Sequence, residues 1–168
     1  MRRAFARTSK TAVATASSVA AAMAILSLTP HIVVRGAARA ADWYARALGA
    51  EERQRVELPG DKIMSLELRF GESPVMVADE FPEMGVLSPL SVGGTSVVLN
   101  VLTDDVDALW ARALEAGAEV LHPLQDAFWG DRHGQITDPF GHRWGLAQHI
   151  RDVSAEEIAR AAAEAFGG

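Results

Sequence analysis

Apolar positions along the chain change period twice in the same order. Thr29 to Val34 is apolar and β-branched and reads as a strand, broken by Gly36. Ala37 to Leu48 places Ala40, Trp43, Ala47 and Leu48 on one face and reads as a helix, with Gly49 at its C-terminal end. Loose alternation then predicts strands over 51–58, 63–70 and 74–78, separated by turns at Pro59-Gly60-Asp61 and Gly71-Glu72-Ser73. Residues 79–94 carry two prolines and three glycines and read as a loop. The order restarts with a strand over 95–102 and a helix over about 106–116, capped by Asp104-Asp105. A short strand over 118–122, a loop over 123–130 and strands over 132–137 and 142–147 follow. Asp138-Pro139-Phe140-Gly141 joins the last two as a type I turn. A final helix starts at Ser154, where Ser154 and Glu157 form a capping box.

The two helices repeat one another in sequence. Tyr44-Ala45-Arg46-Ala47-Leu48 leads into Gly49-Ala50-Glu51, and Trp110-Ala111-Arg112-Ala113-Leu114 leads into Gly117-Ala118-Glu119. The chain therefore reads as two copies of a βαβββ module. Each copy is too small to bury both faces of its sheet alone. The expected fold is α+β: paired βαβββ modules forming a curved eight-stranded mixed sheet around a cleft, with the helices outside and a C-terminal helix added. The expected divisions are an extension over 1–27, a domain over 28–150 with modules at about 28–80 and 95–148, and a helix over 151–168.

Size and composition narrow the partners. A chain of 168 residues, 49% apolar, can build one core. A net charge of −6 argues against a nucleic-acid or anionic-membrane partner, because tracking phosphates needs a basic face. The absence of cysteine removes disulfides, thiol nucleophiles and thiolate metal sites. Residues 1–27 begin basic and become Ala/Ser/Thr-rich. They read either as an extension, with Met23 as the start, or as a targeting segment. The expected location is cytoplasmic, or exported if that segment is a signal. No run of about 20 apolar residues spans a membrane. A Gly-rich phosphate loop, a Gly-x-Ser-x-Gly elbow and a His-Glu-x-x-His motif are all missing.

Phe128-Trp129-Gly130-Asp131-Arg132-His133-Gly134, followed by Asp138-Pro139-Phe140-Gly141-His142-Arg143-Trp144, resembles the signature of PhnB-like proteins. These belong to the vicinal oxygen chelate superfamily of glyoxalases, bleomycin-resistance proteins and extradiol dioxygenases. Leu28 to Val34 and the first helix resemble that family's first module. The resemblance covers roughly residues 28–148 and implies a homodimer with a small-molecule cavity in each cup. It also implies metal ligands at four cup-facing strand positions, which here are Thr29, Met76, Val98 and Gly145. None is a usual divalent-metal ligand. A shift of two residues brings in His31 or Asn100, because alternate residues share a face. No metal or other cofactor is therefore expected.

The residues weighed for ligand binding are His31, Asn100, Trp129, Arg132 and Arg143. His31 reads as a cup-lining group or a core histidine, and Asn100 is its counterpart in the second module. Trp129 and Arg132 read as a stacking platform and an anion clamp, or else as scaffold. Arg143 shares the parity of Gly145 and can point inward. Asp138 reads as the cap of its own turn, while Trp144, Tyr44 and Trp110 read as packing. No partner can be named for His133 or His149. Three functions stay open. The first is a metal-independent binding protein. The second is a lyase, isomerase or dioxygenase with a displaced metal site. The third is a dimeric module without a cavity.

Overall fold

A computed structural model describes residues 25–167. The segment 1–24, most of the expected extension, lies outside the described residues. The order is β1 (His31–Val34), α1 (Ala37–Leu48), β2 (Glu51–Leu58), β3 (Lys62–Phe70) and β4 (Ser73–Asp79), as expected for the first module. A 3-10 turn (Pro82–Met84) and the short helix α2 (Pro89–Val92) occupy the expected loop. The second module follows as β5 (Val98–Leu102), α3 (Val106–Glu115), β6 (Glu119–Asp126), β7 (Asp131–Thr137) and β8 (Arg143–His149). Helix α4 (Ala155–Phe166) closes the chain behind the expected capping box of Ser154 and Glu157. Among the described residues no helix is long and apolar enough to cross a membrane.

The eight strands form two four-stranded mixed sheets, ordered β1-β4-β3-β2 and β5-β8-β7-β6. Each has one parallel pair and two antiparallel pairs. The modules are thus copies in topology as well as in sequence. Two boundaries differ from expectation by three residues or more. Strand β6 runs through Pro123 to Asp126, because an edge strand with irregular register near His122 tolerates a missing N–H. Strand β5 starts three residues late, where the Thr95 hydroxyl accepts the Val97 N–H at 3.1 Å.

The repeated helices hold the modules together. Trp43 Nε1 donates to the Ala116 carbonyl at 2.7 Å, and Arg112 Nε donates to the Ala47 carbonyl at 3.2 Å. Tyr44, Trp43, Phe70, Phe140 and Trp144 make tilted and edge-on ring contacts, with centroids 5.3–6.4 Å apart. The helix-side faces of both sheets therefore drain into one core.

Buried carboxylates fix this core. Asp138 Oδ1 accepts the N–H groups of Phe140 and His142, which makes it the cap expected from the sequence. Its other oxygen accepts Tyr44 Oη at 2.7 Å and Trp144 Nε1 at 2.8 Å, joining both modules at one atom. Burial, reinforced by the neighbouring Asp138 carboxylate, holds the Tyr44 phenol well above its ordinary range. Asp79 plays the corresponding part in the first module. Its Oδ1 accepts the N–H groups of Gly36 and Ala37, capping α1 from β4, and its Oδ2 accepts the Ile63 N–H. Helix α1 needs that outside cap because Gly36 offers no side chain.

Candidate functional site

Alternation along β8 separates the two faces of the second sheet. Trp144 and Leu146 are buried on the helix side. Arg143, Gly145 and Ala147 therefore face the other way. Directly paired residues share a face, so the ladders extend this surface across four strands. One row is Val98, Arg143, Thr137 and Glu119. The next is Asn100, Gly145, Gln135 and His122. The third is Leu102, Ala147, His133 and Gln125. This is the cup face.

Gly145 is the centre of that face. A Cβ there would collide with Asn100 Oδ1 and stand 3.2 Å from His133 Nε2. Asn100 and His133 thus converge over a position with no side chain. Partial burial holds the His133 imidazole below its ordinary value, aided by His122 and opposed by the Asp131 charge. His133 is consequently neutral at pH 7, with one ring nitrogen donating and one accepting. Trp129 lies edge-on to His133 at 5.7 Å and is 39% exposed, forming the rim.

Trp129 is oriented from behind. Its Nε1 donates to Asp131 Oδ2 at 3.1 Å, and Asp131 Oδ1 lies 3.0 Å from His149 Nδ1. His149 Nε2 lies 3.0 Å from Asp152. Hydrogen bonds to Asp131 and Asp152 raise the His149 pKa. A raised folded pKa means that the contact stabilises fully in acid and weakens as pH rises through the folded value. We expect the His149 ring protons to titrate by NMR above the ordinary imidazole value of 6.5. A midpoint at or below 6.5 would show that the two carboxylates do not hold the ring.

The structure divides the five candidates. Asn100, Trp129 and Arg143 share the cup face of the second sheet. His31 lies on the equivalent face of the first sheet, in a row with Met76, Glu67 and Gln54. It also lines a cavity of about 380 Å³ with His142, Val97 and Leu99. A larger cleft of about 540 Å³ between the modules takes in Asn100, Phe70 and Trp144. Arg132 takes the scaffold alternative of its two sequence readings. It pairs across to Gln148, whose side chain caps α3 at Val106, so it sits on the helix side. There its guanidinium holds both oxygens of Asp107 at 2.8 and 2.9 Å and Asp126 at 3.0 Å. The anion clamp is therefore a tie between β7, α3 and β6. Sequence reasoning missed His133 and Gln135. The signal was available: both share parity with Trp129 and Asp131 and oppose Arg132.

The signature glycines are scaffold too. Gly130 has a φ of +102°, and a Cβ on it would strike the Arg151 carbonyl. A Cβ on Gly134 would stand 2.6 Å from Trp110 Cζ3, so its absence lets α3 lie on β7.

A family model described as glyoxalase/bleomycin resistance protein/dioxygenase superfamily matches residues 24–146. The chain belongs to this superfamily. An uncharacterised protein of Mycobacterium bovis is 44% identical over 135 residues, covering 79% of this chain and 89% of that protein. Among solved structures, TioX from Micromonospora sp. ML1 is 30% identical with a TM-score of 0.59, covering 73% of this chain and 98% of TioX. A Bacillus cereus structure described as a PhnB protein matches at 14% identity with a TM-score of 0.55, covering 72% of this chain and 98% of its own, and attests the fold.

Metal-dependent members of the superfamily need convergent imidazoles and carboxylates in the cup. Thr29, Met76, Val98 and Gly145 supply a hydroxyl, a thioether, an isopropyl group and no side chain. Among the described residues no group of three or more His, Cys, Asp or Glu could hold a metal ion. The side chains at these positions do not fit the superfamily's usual metal.

Proposed function

We propose that this chain is a PhnB-like member of the superfamily that binds a small molecule in its cup without the usual metal ligands. The observation that carries the reading is the convergence of Asn100 and His133 over Gly145, on an open face rimmed by Trp129. A face whose central glycine lets an amide and an imidazole close over it, with an aromatic rim beside them, suits recognition of an organic ligand. The working unit in this proposal is a cytoplasmic homodimer. The helix-side faces of both sheets share one core, so the two cup faces of a chain point away from each other. A second copy supplies the missing wall. Native mass spectrometry of protein incubated with metabolite extract should show two chains and a retained organic ligand. Repeated failure to retain any ligand sinks the binding reading, and a monomer sinks the shared wall.

A second reading is a lyase, isomerase or dioxygenase with a displaced metal site. It is favoured by His122 and His133 lying on the same cup face. Stoichiometric metal in purified protein, lost in His133→Ala, would move the conclusion to it.

A further inference from the structure

We infer that the ligand is an aromatic acid, its ring held at Trp129 and His133 and its anionic group at Arg143. This rests on the cup as the binding site and adds the class of molecule that fits it. The protein carries a net charge of −6, and its arginines are mostly spent. Arg35, Arg53, Arg55, Arg69 and Arg132 are in ion pairs, and Arg39, Arg46 and Arg112 bond backbone carbonyls. Arg151 and Arg160, in the C-terminal segment, act on Glu157 through charge alone, whereas Arg143 stands on the cup face. It is exposed on the cup face, and no hydrogen bond or ion pair engages it among the described residues. Thr137 and Val98 flank it in its row, and Glu119, which pairs with Thr137 one strand further on, ends that row without an ion pair to Arg143. A guanidinium kept free on a binding face is a fork for carboxylate or a similar oxyanion.

The spacing sets the rest of the ligand. Arg143 is four residues along β8 from Ala147, which pairs with His133. At about 3.3 Å per residue the two rows are roughly 13 Å apart. The arginine side chain covers part of that span, and a bicyclic ring bearing a carboxylate covers the remainder. Between them lie the Asn100 and Gln135 amides, which can bond a ring heteroatom or hydroxyl. His133 is neutral, so it adds no charge at the ring end.

The probes are 2-naphthoate and its neutral carboxamide, titrated calorimetrically into the full chain. The acid should bind at least tenfold more tightly than the amide. That preference should vanish in Arg143→Gln and persist in Arg132→Gln, whose guanidinium is engaged on the other face. Trp129→Leu should weaken both probes together. Equal binding of acid and amide, or a preference that survives Arg143→Gln, overturns the aromatic-acid assignment and leaves the cup intact as a site. If neither probe binds while extract ligand is still retained, the ligand class alone is wrong. If neither probe nor extract ligand binds, the cup reading falls with it.

Discussion

Replacing Asp138 with alanine is expected to remove about 4 kcal/mol of folding stability, within the range for breaking a buried charged network. The carboxylate is 4% exposed and accepts four hydrogen bonds, two from its own turn, one from Tyr44 and one from Trp144. Alanine leaves four donors without a protein acceptor. Each orphaned buried donor costs roughly 1–3 kcal/mol, and solvent entering the gap recovers part of the sum. The two bonds to the shared oxygen matter most, because through Asp138 they join α1 of one module to β8 of the other. Urea denaturation followed by tryptophan fluorescence reads the change. If the alanine variant does not fold, Asp138→Asn and Tyr44→Phe keep the test open. The second should lose about 1 kcal/mol, the worth of one buried hydrogen bond. A loss below about 1 kcal/mol for Asp138→Ala would mean that the aromatic core, and not the carboxylate, joins the modules.

Filling the cup with Gly145→Leu is expected to weaken 2-naphthoate binding at least 100-fold, about 2.8 kcal/mol. The first carbon of any side chain here meets Asn100 Oδ1, so the amide must swing off the face. The remaining carbons occupy the space over which Asn100 and His133 converge. The backbone at Gly145 does not need glycine, since its φ lies outside the left-handed region. The new side chain also points away from the core. Stability should therefore change by less than about 1 kcal/mol. Calorimetric titration and urea denaturation of the same sample separate the two effects. Retained affinity in a folded variant would place the ligand away from Gly145, with the 540 Å³ cleft between the modules as the next place to look.

The candidate site was half legible. Parity along β8 placed Arg143 on the same face as Gly145, and the ladder register agrees. Parity along β7 could equally have separated Arg132 from His133. The signature drew both into one motif and hid that neighbours in a strand face opposite ways. What Arg132 does depends on Asp107, 25 residues earlier on another element. No local spacing reveals that partner. Asn100 is similar: its role depends on lying beside a glycine 45 positions later, brought there by the parallel β5–β8 pair.

Asp138 shows the same division within one side chain. The turn it caps follows from Asp-Pro-Phe-Gly, because the two N–H groups on Oδ1 are two and four residues away. Its other oxygen is committed to Tyr44, 94 residues back. That bond is invisible until the core assembles.

By itself the sequence determined the elements and the duplication. Both are set by local periodicity, glycine placement and caps, which act within a few residues of themselves. The copied Tyr/Trp-Ala-Arg-Ala-Leu helices already said that there are two modules. Only the tertiary structure decided that these helices bind each other through Trp43 and Arg112, leaving both cup faces open. It likewise decided that Asn100 and His133 meet over Gly145 on one face. The physical reason is that a strand's period fixes which residues share a face, while long-range pairing decides which strands bring those faces together.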